Sequence, residues 1–256
     1  MTRLTPAQRH QQRIRAAQAA AAPETAHSME GANTYELQLM QLKQDQLRLR
    51  QLQSIDARNQ LKPQLLPEYD AYLDGILAAD HGQQDEVVAT LMLWHLDVAN
   101  WSRGLQLADY VLRHGMKMPD RFERTPATLI AEEVANTALT ALKAGAPFAL
   151  AVLEETHQLT QEHDMPDEVR AKLLFALGLA LQPAEDSAPE LLAIARANLT
   201  EAIRLHERVG AKKDLERIDR WLKKHAESKP DPAPDNESEA EQDHPADQPE
   251  QGEADS

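Results

Sequence analysis

The sequence contains no cysteine. That removes disulfides, thiol catalysis and cysteine metal sites, and it fits a reducing compartment. Aromatic residues make up 4% of the chain and only nine of its 256 residues are glycine. No segment sustains an alternation of apolar and polar residues, so strands are not expected. No apolar run reaches the roughly 18 residues that a membrane-spanning helix needs, and the polar start lacks a signal-peptide core. The expectation is a cytoplasmic protein that does not enter a membrane. No Gly-x-x-x-x-Gly-Lys occurs, so the chain is not itself an ATPase motor. No Gly-x-Ser-x-Gly occurs either.

Positive charge is in short supply: 27 Lys and Arg face 42 Asp and Glu, for a net charge of −15. The deficit is uneven. Residues 227–256 hold eleven acids and one lysine, about two thirds of the net charge. The acidic balance therefore does not exclude nucleic acid as a partner. The other end has the opposite sign, because Arg3, Arg9, Arg13 and Arg15 all precede the first acid, Glu24.

The residues present in quantity are helix formers: Ala, Leu, Gln, Glu and Arg. Thr5-Pro6-Ala7-Gln8 reads as a helix start, with Thr5 as cap, Pro6 in the first helical position and Gln8 reaching back. This helix is expected to run to about Ala22, followed by a loop over Pro23 to Gly31. A second helix is expected from Asn33 to about Asn59, closed by Pro63 and Pro67. Its stripe of Tyr35, Leu39, Leu42, Leu49 and Leu52 is widened by Leu37, Met40 and Leu47. Packing within the chain and an intermolecular coiled coil, hence a homo-oligomer, both fit that stripe.

Shorter helices are expected over 67–79, 84–99, 103–115, 127–144, 147–162, 166–181, 188–209 and 212–226, with breaks at Gly82, Gly115, Pro119, Gly145, Pro166, Pro183 and Gly210. Segments 102–112 and 197–205 resemble the second helix of tetratricopeptide hairpins, without a constant period. The expected fold is all-α. A basic helix and a long amphipathic helix (1–62) precede an array of antiparallel helical hairpins (63–226). The acidic, Pro- and Ser-rich segment 227–256 is expected to form a disordered tail.

Three constellations are candidates for chemistry. In Trp94-His95-Leu96-Asp97, residues two apart point about 200° from each other on a helix. His95 and Asp97 are therefore not a catalytic pair, and the apolar neighbours make this a core helix in which Asp97 caps or pairs near Asn100. His163-Asp164-Met165-Pro166-Asp167-Glu168 is the densest group of metal-capable side chains, and its oxygens would suit Mg²⁺. A helix start explains the same residues, with Asp164 as cap and Asp167 and Glu168 at the positive end of the dipole. Asp164, Asp167 and Glu168 are thus the catalytic candidates, and no metal site is assigned. Finally, Arg3, Arg9, His10, Arg13 and Arg15 form a basic arm suited to DNA phosphates. A solvated helix face explains them equally.

Several strings in order go further: Thr5-Pro6-Ala7-Gln8-Arg9-His10, Met92-Leu93-Trp94-His95-Leu96-Asp97, Met118-Pro119 with Arg124-Thr125-Pro126, Glu132-Glu133-Val134-Ala135, and Met165-Pro166-Asp167-Glu168-Val169-Arg170-Ala171-Lys172-Leu173. Over roughly residues 5 to 225 the chain resembles the small terminase subunit (M-protein type) of cohesive-end tailed phages. The resemblance implies binding to double-stranded cos-site DNA, a large subunit that uses ATP, and delivery of DNA to the prohead and its portal. It also implies an endonuclease role, with no intrinsic cofactor expected apart from Mg²⁺ in the case that this chain itself cuts. No complete catalytic set is visible in the residues. The alternative is a tetratricopeptide-like protein-binding scaffold that does not bind DNA.

Overall fold

The computed structural model describes residues 5–21, 29–181 and 188–226. Arg3, most of the loop expected from Pro23, the break expected at Pro183 and the acidic tail lie outside them. Among the described residues the chain is all helical, with eleven α-helices, one 3-10 turn and no strand. They are α1 (Pro6–Ala21), α2 (Met29–Arg50), α3 (Ile55–Leu65), the 3-10 turn Leu66–Glu68, α4 (Asp70–Ala79), α5 (Glu86–Asp97), α6 (Trp101–Arg113), α7 (Pro126–Lys143), α8 (Leu150–Thr160), α9 (Asp167–Ala180), α10 (Pro189–Leu205) and α11 (Lys212–Ala226).

The capping box that opens α1 is formed as its residues predict. The Thr5 amide donates to Gln8 Oε1 at 2.8 Å and the Gln8 amide to Thr5 Oγ1 at 3.3 Å. The same local chemistry opens α7, where Thr125 caps the Thr128 amide and Pro126 takes the first helical position. The long second helix differs from expectation. It starts earlier, at Met29, and breaks after Arg50. Ser54, in extended conformation, then caps a separate α3, and Arg58 Nε bonds back to the Leu52 carbonyl at 2.8 Å. Pro63 does not end this section but sits inside α3. Its missing N–H removes the helical donor to the Asn59 carbonyl.

α5 is the centre of the core. Every residue from Val87 to Leu96 is buried, as befits a helix apolar on all sides. It packs on α2, α6 and α7; α7 meets α8 and α9, and α9 pairs with α10, which carries α11. The N-terminal α1 lies on α4 and α2. The α1–α4 crossing is close because Gly75 has no side chain. A Cβ there would stand 2.5 Å from the Arg13 carbonyl and 2.6 Å from Ala16 Cβ.

α2 carries two stripes. Leu42 and Leu49 are buried in the core with Tyr35 and Leu39 packed beside them. Leu37, Met40 and Leu47 are more than half exposed. Asp45, polar and buried, interrupts the inner stripe and is satisfied there. It accepts from the Tyr69 hydroxyl at 2.8 Å and pairs with Arg48 at 3.0 Å.

Candidate nucleic-acid interface and carboxylate cluster

Arg9, His10, Arg13 and Arg15 are all exposed on α1. The helix is anchored at Ala16, which is fully buried against α4. At roughly 100° per residue, Arg9, His10 and Arg13 share one flank. Arg13 Nη2 lies 3.3 Å from His10 Nδ1. Arg15 falls on the other flank. The structure thus groups three of these four and sets Arg15 apart. The neighbouring α4 contributes Asp70, whose carboxyl is raised from its ordinary value by burial and by Asp74, while Arg103 and Arg9 pull it down. Asp74 is itself paired with Arg103 at 2.6 Å.

The second cluster does not converge. Asp164, Asp167 and Glu168 are all exposed. Asp164 does not cap α9; Pro166 occupies the N-cap position with no side-chain cap bond. Arg170 holds the turn instead, donating to the His163 carbonyl at 2.6 Å. Asp167 and Glu168 stand in the first turn of α9, and Glu168 faces Lys172 at 3.4 Å. Among the described residues no three His, Asp or Glu side chains come together to hold a metal ion. These carboxylates therefore do not fit a divalent-metal nuclease centre, which needs oxygens aimed at one point.

His95 and Asp97 part company as the helical period requires. His95 Nδ1 lies 3.0 Å from Asn100 Nδ2 on one side of α5. Asp97 pairs on the other side with Lys62 from α3 and takes no part in the Asn100 turn. Lys62 and Asp97 have a third companion in Glu133 of α7. Its carboxyl is pushed up by burial and by Asp97, and pulled down by Lys62. Sequence reasoning missed this trio, because its members stand on three helices far apart in the chain. The string Glu132-Glu133 is its only local trace.

His95 is 2% exposed and its Nε2 has no partner among the described residues. Burial, with Arg103 as the lesser cause, pushes the imidazole from 6.5 down to about 4. The folded protein therefore refuses a proton that the unfolded chain accepts. Stability should fall as pH drops from 6.5 towards 4, by at most about 3 kcal/mol at roughly 1.4 kcal/mol per unit. Urea titrations of the native chain and His95→Leu at pH 7.5 and 5 test this. The substitution should flatten the pH dependence, and equal slopes would show that another group governs it.

A cleft of about 510 Å³ between the end of α6 and the start of α7 is lined by Met116, Met118 and Phe122 and by the polar side chains of Glu123, Arg124, His163 and Asp164.

Among the described residues the scaffold is all helical and carries exposed basic side chains on α1. Residues 39–168 match the family described as phage small terminase subunit. The chain is also 39% identical over 230 residues to the "Terminase, endonuclease subunit" of Escherichia phage P2, covering 90% of this chain and 89% of that protein. The protein belongs to the phage small terminase subunit family and has a terminase role in phage DNA packaging. No solved structure matches it. Among the described residues, no helix is long and apolar enough to cross a membrane.

Proposed function

We propose that this protein binds double-stranded DNA at a cos site and acts with a large, ATP-using terminase subunit in cutting viral DNA and packaging it into proheads. The observation that carries the reading is the relationship to the phage P2 protein across nine tenths of the chain. The exposed group Arg9, His10 and Arg13 on an anchored helix supports DNA contact by charge. The exposed row Leu37, Met40 and Leu47 supports a homo-oligomer. The setting is the cytoplasm of a bacterial host.

Replacing Arg9, Arg13 and Arg15 by Ala should weaken binding to cos DNA and flatten its salt dependence by about 2–3 units of log–log slope, near 0.9 for each phosphate no longer neutralised. An unchanged slope would remove α1 from the interface. A chain that binds no duplex at any salt concentration would favour the protein-binding scaffold.

The name of the phage P2 relative favours a second reading, in which the small subunit itself cuts. Asp164, Asp167 and Glu168 are its candidates, and their outward placement speaks against them. Asp167→Ala with Glu168→Ala should lower stability by about 0.5–2 kcal/mol by removing the favourable first-turn electrostatics. Cos cleavage by the reconstituted two-subunit terminase with ATP and Mg²⁺ should survive. Loss of cleavage in a folded, DNA-binding variant would make this chain the nuclease.

A further inference from the structure

α11 is amphipathic in a way the DNA-binding reading has not used. Ile218 is fully buried, and Leu215, Trp221 and Leu222 pack beside it. On the opposite side Lys213, Arg217, Arg220 and Lys224 recur at helical spacing, and all four are exposed. Arg217 is paired with Asp214 at 2.6 Å. Arg220 Nε donates to the Glu216 carbonyl at 3.2 Å. No ion pair joins Lys213, Arg220 or Lys224 to a carboxylate among the described residues, and Asp219 is taken by Arg196 at 2.6 Å. Glu216 flanks the row and is exposed.

We propose that this row is a second phosphate-binding surface for double-stranded DNA. The inference rests on the DNA-binding reading above and adds a surface to it. Four cations over twelve residues of helix span about 16 Å. That is enough to face several backbone phosphates, which lie roughly 3.4 Å apart along the axis of each strand. The helix is anchored to the fold by its apolar side, with Ile218 fully buried, which leaves the row facing outward. It is separate from the α1 group, because α11 packs on α10 whereas α1 packs on α4 and α2. Two separated basic surfaces suit a protein that must hold a long duplex. Another polyanion is also at hand, since residues 227–256, which follow α11 directly, carry eleven acids.

The test is the salt dependence of binding to a 30-base-pair cos duplex by the full chain and by Lys213→Gln/Arg220→Gln/Lys224→Gln. The three side chains are exposed, so the thermal midpoint should hold. The log–log slope should fall by about 2–3 units, with affinity near 0.1 M salt lower by at least tenfold. A native slope in the variant, beside normal binding by the unaltered chain, would overturn the proposal and leave the α1 reading standing. Absence of salt-dependent binding by the unaltered chain would bring down the DNA reading itself, and this proposal with it. If the substitutions matter only in a chain ending at Ala226, the row is the seat of the acidic tail and the proposal also falls.

Discussion

Trp94→Ala is expected to lower stability by about 3–5 kcal/mol, as large truncations in a close-packed core do. Trp94 is 7% exposed in the middle of a run of ten buried residues, and α5 touches helices on several sides. Neighbours held by several different helices cannot all move in to fill the space, so most of the vacated volume remains as cavity. For a fold of this size each kcal/mol shifts the midpoint by roughly 2–4 °C. The variant should therefore melt on the order of 10 °C lower, as read by circular dichroism. Trp94→Phe, which keeps most of the volume, should lie between the two. A Trp94→Ala protein that melts normally and loses only DNA binding or packaging activity would mean that the indole faces a partner.

The features legible in the sequence are the local ones. The Thr5/Gln8 box is a property of four consecutive residues, and α1 begins where those residues place it. The separation of His95 from Asp97 follows from the helical period alone. The corner after Arg50 is not legible, because Gln51 to Ser54 contain neither Gly nor Pro. The strong breaker nearby, Pro63, sits inside α3. The two stripes on α2 read as one broad stripe, since periodicity reports which positions are apolar and not which of them find a neighbour. The Lys62–Asp97 pair joins residues 35 apart in sequence, and Glu133 stands on a third helix. No spacing rule reaches that far. The basic residues of α1 are identifiable as residues, but their division into a group of three and an outlying Arg15 depends on which face α4 covers. The exposure of Asp164, Asp167 and Glu168 likewise depends on how α9 is packed.

Removal of Asp85 should be the most damaging change of a single polar side chain. Asp85 is the N-cap of α5: Oδ1 accepts from the Val87 amide at 2.8 Å and the Val88 amide at 3.0 Å. Oδ2 accepts from the hydroxyl of Tyr72, which is 2% exposed on α4. One carboxylate thus closes the start of the core helix and ties it to α4, the helix on which α1 rests. Burial pushes its carboxyl upwards, while the Tyr72 hydroxyl and the two amides hold it down. Asp85→Ala removes the cap, at about 1–2 kcal/mol. It also leaves the Tyr72 hydroxyl dry and unpaired, adding roughly 1–3 kcal/mol. A total destabilisation of about 2–5 kcal/mol is expected in urea titration at pH 7. Asp85→Asn retains one oxygen for the amides and offers an N–H to the tyrosine oxygen, so it should cost no more than about 1–2 kcal/mol. Tyr72→Phe combined with Asp85→Ala should be less damaging than the two single effects added together, because they share one hydrogen bond. Strict additivity would mean that the carboxylate and the hydroxyl act independently and that α5 is capped without help from α4.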